Sequence, residues 1–280
     1  MSVNSYLNDL AERAIVRDNE KNNIQVSINT IFRRLQQFDE SNEISITPRN
    51  QIEKYFVFGS YKRKTIISRQ FDENSDVDII VVFGKIFGGF YRLEPRNNYP
   101  KKPQDYLDYL KEFAESKYPT SICKQSFPAV VLELNHIKFD LVPAIIDDFG
   151  DYRIPNKQNW YQTRVWDWIS TNPNDLDREL VNNQTLRRLV RIAKIWNAKQ
   201  GHIYESYELE KWITQQCDLS KRPFLRGDYS LSEYFYRFCE LLPICWDLPE
   251  YKQNKIERLQ EDAKKAKYHD NEIYIKNLFE

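Results

Sequence analysis

The chain has 280 residues, 41% apolar and 14% aromatic, enough for one large domain or two intimate ones with a substantial core. Its 41 lysines and arginines balance 41 aspartates and glutamates. That neutrality argues against a protein that grips long nucleic acid through its phosphates, and leaves room only for a local basic groove. The opening stretch MSVNSYLNDLAERAIVRDNE is amphipathic and charged, without the apolar segment of a signal peptide. The longest apolar run, Ile79 to Phe83, is too short to span a bilayer. The four cysteines, Cys123, Cys217, Cys239 and Cys245, show neither C-x-x-C spacing nor a histidine at zinc-ligand distance. They are expected to be reduced, mostly buried thiols of a cytoplasmic protein.

In chain order, helix comes first. Val3, Leu7, Leu10 and Ala14 recur on one face, and Ile24, Ile28, Ile31 and Leu35 repeat the pattern. The polar RDNEKNN between them reads as a break or as an exposed turn of one long helix. SITPRN, residues 45–50, should end the region, since Pro48 disfavours helix at the residue before it. The period then changes: KYFVF, DVDIIVVF, FPAVVLELN and HIKFDLVPAII read as strands, the last two joined by a hairpin turn at Asn135-His136. Between the second and third lies a long insert with a helix-like segment carrying Tyr106, Leu110 and Phe113 on one stripe. After Pro155 no strand is convincing. Four helical stretches follow, the first capped at Gly201. The expected division is residues 1–155, a mixed core with an N-terminal helix, and residues 156–280, a helical lobe.

Two aspartates open the second strand. Residues i and i+2 of a strand point to the same side, so Asp76 and Asp78 project together. Asp140 interrupts the fourth strand between Phe139 and Leu141. If the strands are neighbours, three carboxylates converge, at a heavy cost in repulsion and desolvation. Mg²⁺ or Mn²⁺ removes that cost. Three aspartates and a nucleotide's phosphates can hold two such ions about 4 Å apart, the spacing that clamps both oxygens of a phosphoryl displacement. Taken singly, each acid also has an ordinary explanation: a strand-end charge, a solvent-facing side chain, a partner of Lys138. Gly59-Ser60 follows the first strand and precedes YKRKTII, which can begin a helix. Such a junction offers free backbone N–H groups to a phosphate, or is simply a turn with a serine N-cap.

The combination is more specific than its parts. Strand, Gly-Ser, helix, D-x-D on a second strand and a third Asp on a later one resembles the polymerase-β-like nucleotidyltransferase core. The series GSYKRKTII, SDVDIIVVF, IKFDLVPAI, LRRLVRIAKIWNAKQ and ESYELEKWI further resembles the oligoadenylate synthetases, cyclic GMP-AMP synthase and their bacterial relatives in anti-phage signalling. The resemblance spans Ser60 to Ile213. It implies an α+β fold: a nucleotidyltransferase core with an N-terminal helix and a helical C-terminal lobe, the active site in the cleft between lobes. It implies that Asp76, Asp78 and Asp140 are catalytic and hold two Mg²⁺ ions. It also implies that Gly59 and Ser60, with Lys194 and Ser206, hold the donor triphosphate, and that Tyr207 stacks on a base. The absence of a His-Cys-Cys element and of an evident basic platform points to a bacterial-type member that requires no duplex.

Read without the resemblance, Arg187, Arg191 and Lys194 form a charged helix face, which is usually solvated. Ser206 reads as an N-cap and Tyr207 as core. The expected reaction is metal-dependent joining of nucleoside triphosphates into a cyclic di- or trinucleotide, with release of pyrophosphate, in the cytoplasm, for a product-responsive effector protein. Two alternatives stand beside it: a nucleotidyltransferase acting on a protein or small-molecule acceptor, and an inactive scaffold.

Overall fold

The structure, a computed structural model, describes residues 1–42, 52–84, 102–156, 167–219, 229–244 and 247–280. The helix stop expected at residues 45–50, and Cys245, lie outside them.

The chain divides into two compact units, and not where the sequence suggests. One comprises Met1–Arg17, Arg63–Ser75 and Asp175–Glu280; the other comprises Asp18–Lys62 and Asp76–Asn174. The chain does break here, at residues 14–17, and the polar RDNEKNN from Asp18 onward is already the start of the next helix. The break separates α1 (Val3–Arg13) from α2 (Asp18–Asn42), and the two helices belong to different units. The first helix therefore goes with the C-terminal helices rather than with the sheet.

In the mixed unit, among the described residues, seven strands form one sheet. They are β1 (Ile52–Phe58), β2 (Asp76–Phe83), β3 (Ile122–Ser126), β4 (Ala129–Glu133), β5 (Lys138–Ile146), β6 (Tyr152–Asn156) and β7 (Asp167–Thr171). The order is β1-β2-β5-β4-β3, with β6 pairing both β5 and β7. Strands β2 and β5 run parallel, and the other pairs are antiparallel. β4 and β5 form the hairpin expected at Asn135-His136. β2 is apolar on both faces beyond its first turn and fully buried from Ile79 to Phe83, as befits a central strand. The insert helix, α4 (Pro103–Lys117), buries Tyr106, Leu110 and Phe113 as its stripe predicts. Three strands escape the sequence reading. β3 alternates exposed and half-buried residues, β7 mixes them and β6 is mostly half-buried, so none shows an apolar run.

The helical unit contains α1 and α5 (Asp177–Val181), α6 (Gln184–Lys199), α7 (Ser206–Gln216), α8 (Leu231–Leu241), α9 (Glu250–His269) and α10 (Ile273–Lys276). Its core gathers Leu7 and Leu10 of α1, Leu186, Leu189, Ala193 and Trp196 of α6, and Phe235 and Phe238 of α8. Asn183 caps α6, its side chain accepting from Leu186 N–H. Gly201 sits just beyond the helix at φ +82, a conformation glycine adopts without steric cost.

Candidate active site

Helix α3 (Gly59–Arg63) follows β1 directly. Its first residue has φ +69, and a Cβ placed there would lie 2.0 Å from Asp78 Oδ2 and 2.8 Å from Asp78 Cγ. Glycine is thus demanded twice, by the backbone angle and by the carboxylate against it. The pairing explains the approach: Phe58 of β1 stands opposite Asp78 of β2.

Across the parallel pair, Asp78 is in register with Asp140, and Asp76 with Lys138. Neighbouring strands lie about 4.8 Å apart, so the three aspartates share a patch at one end of two adjacent strands. Burial, and then the negative charge of Asp76, push the Asp140 carboxyl up to about 7, with Lys138 and Lys124 offsetting only part of the shift. Lys138 itself lies 3.9 Å from Glu133. A carboxyl raised first by burial and then by a neighbouring carboxylate is one whose charged form a divalent cation would favour. Among the described residues no three His, Cys, Asp or Glu side chains already stand in metal-binding geometry. The fit is therefore one of donor chemistry and strand register: three hard oxygen donors from two neighbouring strands.

The remaining sequence candidates lie on α6 and α7 of the helical unit. The charged face of α6 is not solvated. Arg191 and Lys194 are 5% and 7% exposed. Arg191 donates to the carbonyls of Ala11 and Lys64. Lys194 Nζ lies 2.8 Å from Oε2 of Glu210, an ion pair rather than a well-aligned hydrogen bond. Glu210 is 1% exposed, and its other oxygen accepts from Arg63 Nε at 2.7 Å and from the Thr65 hydroxyl at 2.8 Å. Burial alone would raise the Glu210 carboxyl, but Lys194 and Arg63 outweigh it and bring the group down to about 2. The sequence reading missed Arg63, Thr65 and Glu210. A signal was there: Glu210 adjoins Leu209 and precedes Ile213 on the face that α7 buries.

Ser206 is exposed and is the first residue of α7 rather than its N-cap, a place taken by Glu205. Tyr207 is 43% exposed, not core. Its hydroxyl donates to Asp175 Oδ2, and Lys211 Nζ lies 5.7 Å from its ring centroid.

A β-sheet with an Asp-x-Asp pair beside a glycine at a helix start and a third aspartate in register is the arrangement expected of a nucleotidyltransferase core. Residues 1–183 match the profile of the Second Messenger Oligonucleotide or Dinucleotide Synthetase domain. The chain belongs to that family, and is a nucleotidyltransferase of the kind that makes second-messenger oligonucleotides. No curated protein sequence matches it. Among solved structures it is similar to the Bradyrhizobium diazoefficiens CD-NTase CdnG in complex with GTP, with TM-score 0.67 and 12% identity, covering 99% of this chain and 95% of that one. It is similar to E. coli CdnC with ATP, with TM-score 0.66 and 13% identity over 100% and 98%. A third is the Vibrio cholerae DncV cyclic AMP-GMP synthase in complex with linear intermediate pppA(3',5')pG, with TM-score 0.66 and 13% identity over 96% and 92%. At such identities the likeness is one of fold. Among the described residues no helix is long and apolar enough to cross a membrane.

Proposed function

We propose that the chain joins nucleoside triphosphates into a cyclic di- or trinucleotide. A ribose 2′- or 3′-hydroxyl attacks the α-phosphorus of a second nucleotide, the new O–P bond forms, and pyrophosphate leaves. The observation that carries this reading is the register of Asp78 with Asp140 beside a glycine whose missing Cβ makes room for Asp78. Asp76, Asp78 and Asp140 would hold divalent ions, which when bound would neutralise charge at the reacting phosphate and make the attacking hydroxyl more acidic. Asp140 takes the hydroxyl proton, Ser60 and the neighbouring backbone amides orient the triphosphate, and Ser206 adds a contact to it, which Lys194 joins only by giving up its buried pair with Glu210. Tyr207 stacks on a base, which suits a site serving more than one base because every base has a π-face. Most of the rate would come from positioning and charge neutralisation.

Neutrality favours a short product. A polymerising enzyme must hold a growing polyanion on a basic track, and here acid and base balance. The first linear product turns over in the site, presents its remaining hydroxyl to its remaining triphosphate, and closes. GTP, ATP and a linear intermediate in the similar structures support the substrate class. The product would act as a signal in cytoplasmic anti-phage defence, read by an effector protein.

The experiment is incubation with each labelled triphosphate, singly and mixed, with Mg²⁺ or Mn²⁺, followed by phosphatase and mass spectrometry. The proposal expects phosphatase-resistant rings without added duplex. Linear ladders with free ends, strict dependence on duplex, or consumption only with an added acceptor would each refute it.

A further inference from the structure

We propose that Asp175 is a positioning residue for the nucleotide base, acting through Tyr207; the proposal rests on the reading of Tyr207 as a stacking platform. An aromatic ring 43% exposed at the start of a helix would ordinarily sample several rotamers. This one is held at two points. Its hydroxyl donates to Asp175, 32 residues upstream and just before α5. Lys211, one turn along α7, brings its ammonium to 5.7 Å from the ring centroid, within cation–π range. Burial, and then the Asp175 carboxylate, raise the phenol above its ordinary value, so it stays a donor at any working pH.

A tether between two solvent-accessible groups does little for global stability. What it does is fix the ring plane. Ordering a side chain is part of the cost of binding, and ordering it beforehand removes that cost. The tip is tied and Lys211 lies on one side of the ring, so a planar ligand would have to use the other side.

The test compares Tyr207→Phe, which keeps the ring and loses the donor, with Asp175→Ala, Asp175→Asn, the double variant Tyr207→Phe/Asp175→Ala, and Tyr207→Ala. The readouts are KM for nucleoside triphosphate and the Kd of a non-hydrolysable triphosphate. Tyr207→Phe and Asp175→Ala should each raise both by about three- to tenfold, with a smaller change in kcat. The double variant should be no worse than either single, because both remove one contact. Asp175→Asn keeps an acceptor oxygen and should restore most of the loss. Additive singles, or a normal KM for Asp175→Ala beside a raised KM for Tyr207→Ala, would overturn the positioning role and leave stacking standing. A normal KM for Tyr207→Ala would overturn the stacking reading and the proposal with it.

Discussion

Two carboxylates, one in each unit, show opposite treatments of buried charge. Glu210 is almost fully buried, yet Lys194 and Arg63 hold it down to about 2, and the Thr65 hydroxyl also donates to it. Asp140 is less deeply buried, yet burial and Asp76 drive it up to about 7. The helical unit neutralises its buried acid from within. The mixed unit gathers acids that its own lysines offset only in part. An acid answered from within is part of the fold; an acid its neighbours answer only in part is, on the proposed function, the one that would meet a cation brought by the substrate.

The sharpest way to break this comparison is to neutralise the surplus. Asp78→Asn and Asp140→Asn should each lower turnover by at least about a hundredfold, because each removes charge that holds a metal at the reacting phosphate. Initial rates of pyrophosphate release would show it, and near-normal turnover in either variant would end the metal assignment. Gly59→Ala should come next. Its methyl group would displace the Asp78 carboxylate, so activity should fall by about tenfold or more while the positive φ costs about 1–2 kcal/mol of stability. Chemical denaturation beside the rate assay separates the two effects.

Glu210→Gln should behave in reverse. It leaves two buried cations poorly compensated and should cost about 3–5 kcal/mol, read as a lowered denaturation midpoint. Lys194→Ala likewise breaks this buried pair, so a raised KM in that variant counts as evidence for phosphate contact only if the protein remains folded.

The smallest effect is on pH. A lowered carboxyl such as Glu210 contributes stability that is full above its unfolded value near 4.5 and is lost as pH falls towards about 2. A raised one such as Asp140 does the opposite: its contribution is full below about 3.8 and is lost as pH rises through about 7. Without metal, stability should therefore sag from weakly acidic to neutral pH, and Asp140→Asn should flatten that sag. Melting curves in a chelating buffer between pH 4 and 8, which covers nearly all of the Asp140 window from 3.8 to about 7, would check it.

Much of this was legible in the sequence where one local pattern carried the information. The periodicities of α1, α2, α4 and α6 correspond to buried stripes. The D-x-D pair opens β2, and the placement of Asp140 needed only the adjacency of β2 and β5. What stayed hidden depended on partners far apart in the chain. The division into units could not be read because α1 packs against α6 and α8, far downstream. β3, β6 and β7 lack an apolar run because their faces are only partly covered. Arg191 and Lys194 looked like a solvated face because nothing local announces that Glu210 and two backbone carbonyls will receive them.

The most direct measurement is a paired one on Asp140→Asn: melting temperature in chelating buffer at pH 8, above the Asp140 value of about 7, and product yield with Mg²⁺ and mixed triphosphates. The account predicts a melting temperature equal to or higher than that of the unsubstituted chain, with synthesis lost, because the surplus charge is kept for the reaction and not for the fold. A lowered melting temperature with synthesis retained would contradict it.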